Sequence, residues 1–98
     1  MAILHTWNKA ATGHSSFRQS LACMSSTDSL LLLEDAVYLV LDTGKLQVLT
    51  SATTQLYALA EDLAARGISA KIPSAINVIN YKEFVALCLT HDKLVNWI

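Results

Sequence analysis

The sequence predicts an α/β fold: one layered domain with a mostly parallel sheet of four to five strands flanked by helices. Three observations carry this. Short apolar or β-branched runs alternate with helix-like segments through nearly the whole chain. The run Ser29-Leu30-Leu31-Leu32-Leu33 is apolar at every position after its serine, as in a strand covered on both faces of a parallel sheet. The chain has 98 residues, 53% of them hydrophobic, whereas two domains need roughly 200 residues or more. Residues 1–98 are therefore expected to build one core.

Ile3 to Trp7 reads as the first strand and the polar stretch Asn8 to Ser16, with Gly13, as a loop. Ser15 or Ser16 can cap a helix over Phe17 to Met24, because a serine oxygen accepts an otherwise unpaired N–H of the first turn. Ser25 to Asp28 breaks that helix, and Ser29 to Leu33 forms the second strand. Asp35 is placed to cap a helix through Ala36 to Leu41, which Asp42-Thr43-Gly44-Lys45 would close as a turn. Leu46 to Thr54 fits two periodicities: Leu46, Val48 and Thr50 alternate as in a strand, while Leu46, Leu49 and Thr53 line a helix. Gln55 to Leu59 is the third strand. Glu61 to Arg66 is a helix stopped by Gly67, whose missing Cβ permits a left-handed cap. Lys71 to Ser74, with the only proline, Pro73, is a connection. Ile76 to Ile79 is the fourth strand. Asn80 followed by Glu83 is a capping-box pair opening a helix over Tyr81 to Thr90. Leu94 to Ile98 is expected to be an edge strand.

Composition excludes several function classes. Seven Lys and Arg against eight Asp and Glu give a net charge of -1, so the basic field that binds a phosphate backbone is missing and no direct, strong nucleic-acid binding is expected. The charged fraction of 15% is low against the ~25% of ordinary soluble domains, which points to surface covered by another subunit. Leu30 to Leu41 is the most apolar region, yet Glu34 and Asp35 interrupt it and it falls short of the ~20 residues that cross a bilayer. No membrane association is expected. The N-terminus lacks the basic start and apolar stretch of a secretory signal, so a cytoplasmic location is expected. Cys23 and Cys88 are far apart, with no Cys-x-x-Cys spacing, and should be free thiols.

Ligands of open α/β sheets sit beyond the carboxyl ends of the strands, where helix N-termini present free N–H groups. In the loop after the first strand, Lys9, Gly13, His14, Ser15 and Ser16 could cradle an anion, but the spacing matches neither glycine-rich phosphate motif, and an ordinary capping loop explains it. Glu34 and Asp35 could do acid–base work if their surroundings separated their pKa values; helix capping is the simpler role for Asp35. Asp42-Thr43-Gly44 has the tripeptide of aspartic proteases, but so short a chain would need a dimer for its second aspartate, and a turn accounts for it. His5, His14 and His91 have no metal-ligand spacing, and no Gly-x-Ser-x-Gly elbow is present. No cofactor or metal is implied. At about 100° per residue, Leu21 and Met24 fall beside Phe17 while Cys23 lies about 120° away, on an accessible flank. Cys23 ends its helix, where the dipole does not favour a thiolate. Tyr81, Phe84 and Cys88 share a face of the last helix, making Cys88 a core residue.

Four segments in order, Ile3-Leu4-His5-Thr6, Leu31 to Val37, Tyr57 to Gly67, and Ile79 to Val85 with the Trp97 ending, resemble the TusB/DsrH family of sulfur-relay proteins, TusB most closely. The resemblance spans the chain. It implies a DsrEFH-like fold and a small subunit of a heterohexamer with TusC and TusD chains. TusD carries the persulfide cysteine and passes sulfur from TusA to TusE, and onward to MnmA for 2-thiolation of the wobble uridine in tRNA. TusB-type members lack an essential cysteine. DsrH-type members carry one on the first helix, at a position that is Ser20 here, so Cys23 departs from their pattern. Ala60 also stands where a polar capping residue is expected. The resemblance implies a non-catalytic structural subunit of a sulfurtransferase complex, with Trp97 and Ile98 as interface candidates; alternatively, Trp97 closes the domain's own core. The rival is a DsrH-like persulfide carrier using Cys23.

Overall fold

A computed structural model describes residues 2–9, 19, 21–53 and 55–97. Its five strands are β1 (Ile3–Trp7), β2 (Ser29–Leu32), β3 (Gln55–Leu59), β4 (Asn77–Ile79) and β5 (Lys93–Trp97). They form one sheet in the order β4-β3-β2-β1-β5, and every neighbouring pair is parallel. The predicted α/β architecture is thus present, and the sheet is wholly parallel.

The order explains the layers. From β1 through β4 the chain steps in one direction across the sheet, and right-handed crossovers then place the connecting helices on one face. The step from β4 to β5 runs back past β1, so its helix lies on the opposite face. The first layer holds the 3-10 helix Glu34–Leu41, α1 (Thr43–Ala52) and α2 (Ala60–Ala65); the second holds α3 (Tyr81–Leu89). Side chains of β2 alternate between the two. Leu30 and Leu32 join the larger cluster with Trp7, Val37, Val40, Leu49, Leu56 and Leu63. Leu31 joins Leu4 and Ile79, packed by Phe84, Leu87 and Cys88 of α3. All four β2 residues are buried, as the continuous apolar run required.

Two expectations about the helix starts need correction, and one open stretch is resolved. Asp35 does not cap a helix: the 3-10 helix starts at Glu34 with Leu33 as its cap residue, and the Asp35 carboxylate instead accepts from Arg66 Nε and Nη2 at 3.1 and 2.9 Å. The three-residue turn has a clear cause. Ala36, Val37, Leu39 and Val40 are the buried residues, and three residues per turn stacks 36 over 39 and 37 over 40 on the sheet side. Asp42 to Lys45 is not a closing turn. Asp42 is the N-cap of α1, accepting from the Lys45 N–H at 3.1 Å, and this bond with the Lys45 ammonium holds its carboxyl below the ordinary value. Leu46 to Thr54, open between strand and helix, is helical through Ala52, with Leu46 and Leu49 buried.

Gly67 stops α2 with φ of 69°, the left-handed cap predicted for it. The predicted capping box is complete: Asn80 Oδ1 accepts from the Glu83 N–H at 2.8 Å and Glu83 Oε1 from the Asn80 N–H at 2.9 Å. Asn80→Ala is expected to cost about 1 kcal/mol in urea unfolding, the usual value of an N-cap, with the denaturant slope unchanged. Helix is also found at residues 19 and 21–23. The proposed caps Ser15 and Ser16 lie outside the described residues.

Candidate functional site

Sheet order reverses between β1 and β5, so the carboxyl ends of these strands are the position where parallel sheets place ligands. Trp7 and Trp97 are register partners there. Asn8, just beyond β1, has a buried Oδ1 with no hydrogen-bond partner among the described residues, and Lys9 is exposed. The remainder of the anion-cradle candidate, Gly13, His14, Ser15 and Ser16, lies outside the described residues.

A cleft of about 380 Å³ opens at the carboxyl ends of β2 and β3, lined by Leu33, Glu34, Leu59, Glu61, Asp62, Tyr81 and Phe84. Its carboxylates serve the backbone. Asp62 Oδ2 accepts from the Glu34 N–H at 2.7 Å and Glu61 Oε2 from the Tyr81 N–H at 3.1 Å, satisfying donors that open the 3-10 helix and α3. Glu34 has a left-handed φ of 48°, an uncommon conformation outside glycine; its bond to Asp62 helps hold it. Glu34 and Asp35 do not form an acid–base pair, because Glu34 lines the cleft while Asp35 binds Arg66. Ala60, where a polar cap was expected, is the first residue of α2, whose cap residue Leu59 makes no side-chain bond.

Cys23 is exposed and Cys88 half-buried, both free. Leu21 and Met24 turn toward the large cluster, in line with the helical angles that place Cys23 on a flank. Cys88 and Phe84 pack against the sheet as expected, but Tyr81 does not: it is 61% exposed. Tyr81 opens α3 beyond the sheet's end and meets Phe84 edge to face, 5.8 Å between centroids. Among the described residues, no group of three or more His, Cys, Asp and Glu could hold a metal. No helix among them is long and apolar enough to cross a membrane.

The sequence reading missed a buried polar chain. Trp97 Nε1–H donates to His5 Nδ1 at 3.0 Å, and His5 Nε2 lies 3.0 Å from Asp28 Oδ2. An indole nitrogen only donates, so Nδ1 is the acceptor and Nε2–H donates to the carboxylate. His5 and Asp28 are 1% and 2% exposed. Burial pushes the Asp28 carboxyl up, but the bond from His5 and those from the N–H groups of Ser25 and Ile3 outweigh it and hold it at about 2, against 3.8 ordinarily. A histidine inside a core strand, with an aspartate just before the neighbouring strand, was the available signal: both must find partners if buried. Trp97 is accordingly held within its own domain, half-buried and stacked on His5 with planes 19° apart. Ile98, the other interface candidate, lies outside the described residues.

An apolar stripe runs exposed along one flank of α3, beside the exposed Lys82. The helix has no fully buried residue. Tyr81, Val85 and Leu89, four residues apart, are 61%, 50% and 84% exposed, and Leu94 on β5 is 53% exposed.

Comparison with known proteins places this arrangement in a family. The model for DsrH-like proteins matches residues 9–94. The chain is 36% identical over 96 residues to a protein named TusB from Escherichia coli (strain K12), and 31% identical to a TusB from Enterobacter sp. (strain 638). Each match covers 97% of this chain and all of the relative. The crystal structure of the ychN protein from E. coli superposes with a TM-score of 0.76, covering 98% of this chain and 97% of that one at 19% identity, a likeness of fold. Full-length similarity to proteins named TusB, together with the family match over residues 9–94, means that the chain belongs to the DsrH-like family.

Proposed function

We propose that the chain is a non-catalytic structural subunit of a TusBCD-type sulfurtransferase complex, acting in the cytoplasm in the sulfur relay for 2-thiolation of the wobble uridine of tRNA. Its partners are TusC-like and TusD-like chains in a heterohexamer; TusA, TusE and MnmA act before and after them. The observation that carries the reading is the stripe Tyr81, Val85 and Leu89 on α3. A helix so exposed along an apolar stripe gains free energy when a partner covers it. Trp97 and Ile98 are further contact candidates in this reading. In this reading the chain supports a sister subunit whose cysteine carries the sulfur. The second reading, a persulfide carrier, is favoured by the exposure of Cys23.

Co-expression with the TusC- and TusD-like chains of the same genome separates the two. The wild type should purify as a stable mixed assembly. A Val85→Asp, Leu89→Glu variant should bind the sisters at least about a hundredfold more weakly, as expected when central apolar anchors are lost. Cys23→Ser should leave sulfur loading of the complex and tRNA thiolation unchanged. Purification of the chain alone, or undiminished assembly of the charged variant, would refute the scaffold. A persulfide on Cys23, with thiolation lost in Cys23→Ser, would establish the carrier.

A further inference from the structure

We infer that His5, Asp28 and Trp97 form a proton-sensitive latch on the carboxyl end of β5. The argument rests on donor and acceptor inventory. Asp28 accepts on one side of the imidazole and the Trp97 N–H donates on the other, so the geometry fits only the tautomer with a bare Nδ1. Protonation places a hydrogen on Nδ1, directed at the indole N–H 3.0 Å away. Two donors then face each other, and that bond is lost. On the other side the bond to Asp28 becomes charge-assisted and strengthens, so the imidazolium stays anchored and the break falls on Trp97. Release is read at the indole N–H.

The surroundings leave the proton few other consequences. Among the described residues, Asp28 is the titratable group in contact with His5. From β5, Lys93 shares the His5 face by register but is exposed. His91 bonds Ser29, the register partner of Leu4 and so on the α3 side of the sheet. Thr53 at the end of α1 donates to the Asp28 carbonyl, and the Ser25 N–H to its carboxylate; neither is charged. β5 is otherwise held by β1 through backbone pairing and the Thr6–Asn96 side-chain bond. Loosening is thus local to its end.

The test follows both rings by NMR in the ¹⁵N-labelled full chain from about pH 8 to about pH 5, the interval in which histidines commonly change charge. The expected result is that protection of the Trp97 indole N–H from exchange, taken relative to free indole at each pH, falls about tenfold in step with protonation of His5, the loss of one hydrogen bond. A His5 ring that stays neutral throughout, or protonates while the Trp97 N–H keeps its protection, overturns the latch. Trp97→Phe gives an independent measure, since it keeps the ring and removes the donor. The melting temperature lost by this variant should be larger at about pH 8 than at about pH 5; equal losses at both would also overturn it.

Discussion

Asp28→Ala should cost about 2–4 kcal/mol, because a buried imidazole N–H and two partly buried backbone N–H groups lose a charged acceptor. The carboxylate accepts the Ile3 N–H at 3.0 Å, the Ser25 N–H at 3.1 Å and the His5 imidazole at 3.0 Å. Alanine leaves all three donors without that acceptor, the His5 N–H in a fully buried place and the Ile3 and Ser25 N–H groups in partly buried ones, and an unsatisfied buried donor costs more than a hydrogen bond gains. Urea unfolding should show the fall in midpoint, with His5 and the start of β1 losing amide protection. Acid titration of the wild type provides the companion result. The folded value of about 2 lies below the ordinary 3.8, so the stabilisation is fully present above about pH 4. It disappears as pH falls through about 2, and its size is about 2 kcal/mol. In Asp28→Asn this part of the acid sensitivity should be absent.

The other large effect is expected at Leu32, which is 0% exposed between the large cluster's helices and the sheet. Leu32→Ala should lose about 3–5 kcal/mol, from the removed side chain and the cavity that the surrounding side chains cannot close. A domain of this size has about 5–15 kcal/mol of stability in total, so the variant should be largely unfolded in mild urea. Leu89→Ala is the contrast. The side chain is 84% exposed, and its loss should change the stability of the isolated chain by less than about 0.5 kcal/mol. Equal costs at the two leucines would contradict the burial described for them and remove the basis for assigning α3 to a partner.

The sequence reading misplaced the helix starts at Asp35 and Asp42, because both are short acidic residues beside apolar runs and each satisfies the local rule for an N-cap. In the structure Asp35 lies inside the 3-10 helix with its carboxylate on the guanidinium of Arg66, thirty-one positions further on, while Asp42 caps α1, which runs to Ala52. The cleft carboxylates follow the same logic: Asp62 and Glu61 bind N–H groups of Glu34 and Tyr81, far away in sequence.

Local pattern by itself determined the five strands, the capped start of α3, the left-handed stop at Gly67 and the family, because each rests on neighbours within a few positions or on residues in order along the chain. Tertiary structure alone decided that β5 lies beside β1 and that His5 meets both Asp28 and Trp97. It also left Tyr81, Val85 and Leu89 uncovered. The physical reason is that helical and strand periodicity state which residues share a face, while the position of an element in the sheet decides whether anything covers that face. Return of the chain past β1 places α3, alone among the helices of the described residues, on its side, and burial and hydrogen-bond partners there are properties of the assembled sheet.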